Sequence, residues 1–323
     1  MQRYDIQYTG RSGGRGTGLA LFLLLALLGS SLRLAAQAAT RHLTFTLKYT
    51  LTCTEPLDWE EFTVLLPQGW AGRQQVVAQA YDPKAAVKFF KQDDRWYAIF
   101  HLNNPRETET ITITTEANLL RCDFATLMQH PPKVTKLDAA ALAPYLKREK
   151  LIEVDAKRME EAAKTIPGTT DVELVQGIMN YVTAHLNYSG FRKVDTGALW
   201  ALVTGEGDCS EFSALFVALC RAKGIPARRI TGFCTARPNA VIKEFHNWAE
   251  AYLPAYGWVP FDPWLMKVQP AAWNTLPNTY VYLAQSETDP ALHDQRDFYC
   301  TSKRKAEAGS GAVKVEEEAM CLN

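Results

Sequence analysis

The stretch Gly205-Glu206-Gly207-Asp208-Cys209-Ser210-Glu211-Phe212 marks the start of a helix and puts a thiol in its first turn. Asp208 is one of the residue types that cap a helix N-terminus through a side-chain oxygen, and Glu211 follows three residues later as a capping box requires. Phe212, Leu215, Phe216 and Leu219 then recur at helical spacing, so one apolar stripe faces a core. Gly224 suits the left-handed position after a helix and Pro226 cannot continue one, so the helix is predicted to run from Cys209 to Lys223. Free N–H groups at its start carry about half a positive charge, which favours a thiolate over a thiol. They also point at whatever carbonyl the sulfur attacks, which is half of an oxyanion hole. The competing reading is a buried structural cysteine that happens to follow a cap; the polar, glycine-flanked setting argues against it.

A nucleophile needs a base, and there are six histidines. His42, His101, His130 and His293 read as surface or loop residues, and His185 as a structural residue near a helix end. His246 opens the run Phe245-His246-Asn247-Trp248-Ala249-Glu250-Ala251-Tyr252-Leu253, whose members His246, Trp248, Glu250 and Tyr252 share one strand face. After Pro254-Ala255-Tyr256-Gly257 the chain can turn and return as Trp258-Val259-Pro260-Phe261-Asp262-Pro263. An odd number of loop residues, or a β-bulge, puts His246 and Asp262 on the same side. There the carboxylate can hold the imidazole in the tautomer that accepts the thiol proton. On opposite sides it cannot, and Asp262 becomes a turn-like residue between two prolines.

Taken together, Gly207-Asp208-Cys209 with Phe212 and Leu215, then Arg221-Ala222-Lys223-Gly224-Ile225-Pro226-Ala227-Arg228 leading to Gly232, then His246-Asn247-Trp248-Ala249-Glu250, Gly257-Trp258 and Asp262-Pro263 resemble the transglutaminase-like superfamily. The resemblance covers about residues 170–264. It implies an α+β core in which a helix carrying Cys209 packs on an antiparallel sheet carrying His246 and Asp262, a papain-type triad of these three, and acyl chemistry through a thioester. Tyr188 is the candidate second oxyanion donor. Trp248 is a further candidate beside the substrate, although it and Tyr252 also read as sheet residues near the site. Asn247 is expected to point away from His246 and to matter little. Asp289, Asp294 and Asp297 lack the spacing of a calcium cage, so no metal or other cofactor is expected.

Upstream, residues 41–116 consist of short alternating runs, such as Leu43-Thr44-Phe45-Thr46-Leu47-Lys48-Tyr49, broken by Pro67-Gln68-Gly69, Asp82-Pro83 and Asn103-Asn104-Pro105. Period-two runs with such turns predict a β-sandwich. Helical composition at Asp155 to Lys164 and a stripe of Val172, Val175, Ile178, Met179 and Val182 predict two helices ahead of the cysteine. The organisation expected is a signal peptide at 1–38, a sandwich at 39–120, a connector with a helix at 121–168, the catalytic domain at 169–302 and a solvated tail at 303–323.

The signal-peptide expectation rests on Arg3, Arg11 and Arg15 before the apolar run Leu19 to Leu28, with Ala36-Gln37-Ala38 as a cleavage pattern. About ten apolar residues fall short of the roughly twenty a membrane span needs. Export to a periplasmic or extracellular space follows, with no membrane attachment of the mature form. Seven cysteines are then allowed to form bridges, with an odd one left over and no C-x-x-C pair. Thirty-five basic residues balance thirty-five acidic ones, which gives no net field to hold nucleic acid. The partner expected is a protein or peptide substrate. Three functions share the triad's residues: a peptide or amide hydrolase, a protein-glutamine acyltransferase that crosslinks amines, and an idle binding module of the same fold.

Overall fold

A computed structural model describes residues 40–322, apart from 55–56, 85–86, 93–94, 104, 106, 193–195, 236–238, 243–244, 286–288, 293–297 and 302–312. The expected signal segment, His293, Asp294 and Asp297 lie outside the described residues. The alternating runs are strands: β1 (Thr40–Cys53), β2 (Trp59–Leu65), β3 (Gln74–Asp82), β4 (Val87–Gln92), β5 (Arg95–Asn103) and β6 (Thr108–Leu120). In β1, Leu43, Phe45, Leu47, Tyr49 and Leu51 are fully buried while the residues between them are wetter, as a half-buried strand requires. β1 runs antiparallel to β6, from Thr40 opposite Leu120 to Thr52 opposite Thr108, and β6 pairs with β3. β2, β5 and β4 form a second antiparallel sheet.

The helices follow as α1 (Lys157–Thr165), α2 (Asp171–His185), α3 (Gly197–Thr204) and α4 (Cys209–Ala222), with α5 (Pro263–Val268) later. The capping box at α4 forms as its sequence predicts: Asp208 accepts from the Ser210 N–H at 2.8 Å, and Glu211 accepts from the Asp208 N–H at 3.1 Å. At the other end Gly224 has φ 77°, with Ile225 N–H bonded to Cys220 O and Gly224 N–H to Arg221 O, a Schellman closure. Every residue from Ser210 to Arg221 is buried. The helix is therefore wrapped, not laid on a surface.

α4 packs against a four-stranded antiparallel sheet in the order β9-β8-β7-β10, where β7 is Ala227–Cys234, β8 His246–Leu253, β9 Gly257–Phe261 and β10 Tyr280–Gln285. This sheet serves two cores. Ala249, Ala251 and Leu253 join the helices, whereas Phe233, Val281 and Leu283 join the sandwich core.

Two late strands complete the sandwich. β11 (Tyr299–Thr301) pairs with β2, and β12 (Val313–Cys321) pairs with β1 from Phe45 opposite Cys321 to Cys53 opposite Val313. The expectations of a sandwich confined to 39–120 and of a solvated tail at 303–323 are corrected here. The run Glu316-Glu317-Glu318 hid a period-two pattern in which Val313, Ala319 and Cys321 are buried and Glu317 stands opposite Tyr49.

Candidate active site

Three residues separate Leu253 from Gly257, the first pair of the β8–β9 ladder, so the loop is odd. Ala249 is opposite Phe261; continuing that register by one residue sets Asp262 beside Trp248, on the face that carries His246. The side chains meet: His246 Nε2 lies 2.6 Å from Asp262 Oδ2. Asp262 is 4 % exposed and is fixed from two further sides. Its Oδ1 accepts from the Leu265 N–H at 2.9 Å as the N-cap of α5, and Oδ2 accepts from the Tyr280 hydroxyl at 2.7 Å.

With Nε2 on the carboxylate, Nδ1 is the ring nitrogen left over, and the Cys209 side chain is near enough to help hold the imidazole in its charged form. Burial by itself pushes the imidazole towards neutrality. The Asp262 charge and hydrogen bond, followed by Cys209, outweigh it and hold His246 well above its ordinary value. For Asp262, burial works against ionisation, but His246, the Leu265 N–H and Tyr280 together keep the carboxyl below its usual range. Tyr280 is pushed far up by burial first and the neighbouring Asp262 next, so it stays a donor.

The imidazole sits in an aromatic box of Trp264, Tyr280 and Trp248, with centroids 5.6, 5.7 and 6.0 Å away. Trp248 is fully buried, which corrects the expectation that it touches substrate: it supports the ring from below. Tyr188 is 53 % exposed, pairs with Gly207 through a two-residue parallel ladder, and meets Trp264 edge-on at 6.1 Å. It therefore stands at the rim, two residues in register from Cys209. Tyr252 turns elsewhere, its hydroxyl accepting from the Leu137 N–H, and His185 meets the Leu202 carbonyl. Asp289 is taken by Arg95 at 3.0 Å and by Tyr97.

Asn247 is the residue the sequence undervalued. Strand alternation does point it away from His246, but the opposite face is the one that looks at α4. There Nδ2 donates to Ser210 Oγ at 3.0 Å and lies 4.0 Å from Cys209 Sγ, and Oδ1 accepts from Thr231 Oγ1 at 2.7 Å. Tyr280, Trp264 and Cys234 are also brought to the site without a local signal. Cys234 stands opposite Tyr280 in the β7–β10 ladder, and burial pushes its thiol up to about 11, which makes it a poorer candidate nucleophile than Cys209.

Residues 160–263 match the family model described as transglutaminase-like superfamily. This segment is a transglutaminase-like domain. A structure from Cytophaga hutchinsonii, described as a candidate cysteine protease, superposes with a TM-score of 0.57 at 20 % identity, covering 88 % of this chain and 93 % of that one. An uncharacterised protein of Mycobacterium tuberculosis is 25 % identical over 223 residues, which are 59 % of this chain and 68 % of the relative. The uncharacterised protein YebA of Bacillus subtilis is 38 % identical over 71 residues, 19 % of this chain and 10 % of its own length. The solved neighbour carries the same α+β fold across nearly the whole chain, so the transglutaminase-like domain and the sandwich strands belong to one shared architecture.

Proposed function

We propose that the chain is a cysteine hydrolase that cleaves a peptide or amide bond through a thioester on Cys209. The observation that carries this reading is a single imidazole held by the Asp262 carboxylate at 2.6 Å, with Cys209 in the first turn of α4 among the groups that favour its charged form. His246 takes the thiol proton as the sulfur attacks the carbonyl carbon. The developing oxyanion meets the Cys209 N–H at the start of α4, since the Asp208 cap takes the N–H groups that follow it. His246 returns the proton to the leaving amine, the C–N bond breaks, and a water deprotonated by the same ring then hydrolyses the thioester to a carboxylic acid and free thiol. Asp262 holds the ring's orientation and stabilises its charged form throughout.

Water is preferred to an amine as the acceptor because of its abundance. Export follows from the basic and apolar pattern between Arg3 and Ala38. The deciding experiment incubates the protein with a glutamine-containing peptide and a primary amine and reads the products by mass. Hydrolysis products that disappear in Cys209→Ala are expected. Amine adduct alone would instead make the chain an acyltransferase, and full activity in Cys209→Ala would remove the enzyme reading.

A further inference from the structure

Asn247 is 5 % exposed and lies between β7 and the start of α4. A buried carboxamide is costly unless its polar atoms find partners. Oδ1 has Thr231, and one Nδ2 proton has Ser210. The second Nδ2 proton has the Cys209 sulfur as its partner, at 4.0 Å. Serine and threonine hydroxyls accept or donate and would tolerate either amide orientation, but a thiolate only accepts. The NH2 end of Asn247 faces α4, where Ser210 Oγ and the Cys209 sulfur both lie within its reach.

Resting on the triad reading above, we infer that Asn247 is a positioning residue of the site, whose Nδ2–H holds the Cys209 sulfur as a thiolate from the face of β8 opposite His246. The sulfur is then gripped from both sides of one strand: by a ring that exchanges its proton and by an amide that cannot. The charged and titratable groups around it are His246 with Asp262 behind it, Cys234 on β7, and Asp208 and Glu211 on its own helix. Asp208 is occupied by the N–H groups of Ser210 and Arg192, and Glu211 by Thr196 and the Asp208 N–H. Asn247 is neutral across this range. Its effect is a fixed downward bias on the thiol that does not itself titrate.

The test is the pH dependence of iodoacetamide labelling at Cys209, read by mass on the peptide that contains it, for wild type, Asn247→Ala and Asn247→Asp. In Asn247→Ala the midpoint should move up by about one pH unit, so that labelling near neutral pH slows about ten-fold, the size of a hydrogen bond to a charged acceptor. Asn247→Asp, which keeps the shape but loses both donors and adds like charge, should slow at least as much. Thr231→Val leaves the amide in place and frees one end; it should shift the midpoint in the same direction by less, and it keeps the test open if the Asn247 variants do not fold. Superimposable profiles in the folded variants overturn the inference. A wild-type profile that His246→Ala leaves unchanged would instead bring down the triad reading, so the two failures are distinguishable.

Discussion

His246 carries opposed influences on one ring, and their balance makes the site's response to pH predictable. Burial resists its charge, while Asp262 imposes it, and Asp262 is in turn held ionised by His246, Leu265 and Tyr280. The carboxyl's folded pKa lies below its unfolded value of about 4, so its share of stability is present above that pH and fades as pH falls through the folded value. The imidazole's lies above its unfolded value of about 6.5, so its share is complete below that pH and is lost as pH rises through the raised folded value. Asp262→Asn should therefore lower the melting temperature most between about pH 4 and 6.5; a deficit that is flat from pH 3 to 9 in circular-dichroism melts would contradict the pairing. The same variant keeps an acceptor for the Leu265 N–H but loses the charge that orients the ring. Its kcat should fall on the order of 10⁴-fold without reaching the level of Cys209→Ala.

The α4 helix and the hairpin β8–β9 do the assembling, and each depends on small local choices. Removing the cap with Asp208→Ala should cost about 1 to 2 kcal/mol in urea denaturation, since it also strands the Arg192 N–H. Gly232 faces His246 across β7–β8, beside the register shift between Thr231 and Gly232. A Cβ there would fall 1.9 Å from the Val281 carbonyl oxygen and 2.8 Å from Trp248, so β10 must move. Gly232→Ala should cost about 3 kcal/mol or more and slow Cys209 labelling; near-wild-type stability would mean that strand can yield. These features were legible because they are local: Asp208 and Glu211, Gly224 and Pro226, and the odd loop between Leu253 and Gly257 each declare themselves within a few residues. The helix Gly197–Thr204 was not, because Gly-Ala-Leu-Trp-Ala-Leu-Val-Thr is apolar nearly all round and shows no face. Tyr280 and Asn247 were beyond reach for a different reason. Their roles are set by which strand or helix end lies opposite, and that is decided by tertiary pairing.

The two cores are joined more tightly than a sandwich tethered to a separate helical domain would be. The Gln74 side chain donates to the Tyr282 carbonyl at 3.0 Å and accepts from its N–H at 2.9 Å, inside the protein. Arg228 binds Glu250 through two nitrogens while its guanidinium lies 4.2 Å from the Trp258 ring and 5.1 Å from Trp70. The chain's last strand closes the sandwich against β1, and Arg41 of β1 reaches both the Thr235 hydroxyl at 2.7 Å and the Cys321 sulfur at 3.7 Å. Strain on the sandwich should therefore reach the sheet that carries His246. A protein ending at Ala312 loses nine paired positions of β1 and the buried side chains of Val313, Ala319 and Cys321. At about 25 cal/mol per Å² of apolar surface, plus the unpaired ladder, the loss is several kcal/mol from a total of about 5 to 15. The truncated protein should melt roughly 10 to 20 °C lower, and the His246-dependent labelling of Cys209 should be lost together with the sandwich in a single transition. Survival of that labelling after the sandwich has melted would show that the sheet carrying His246 stands on its own core.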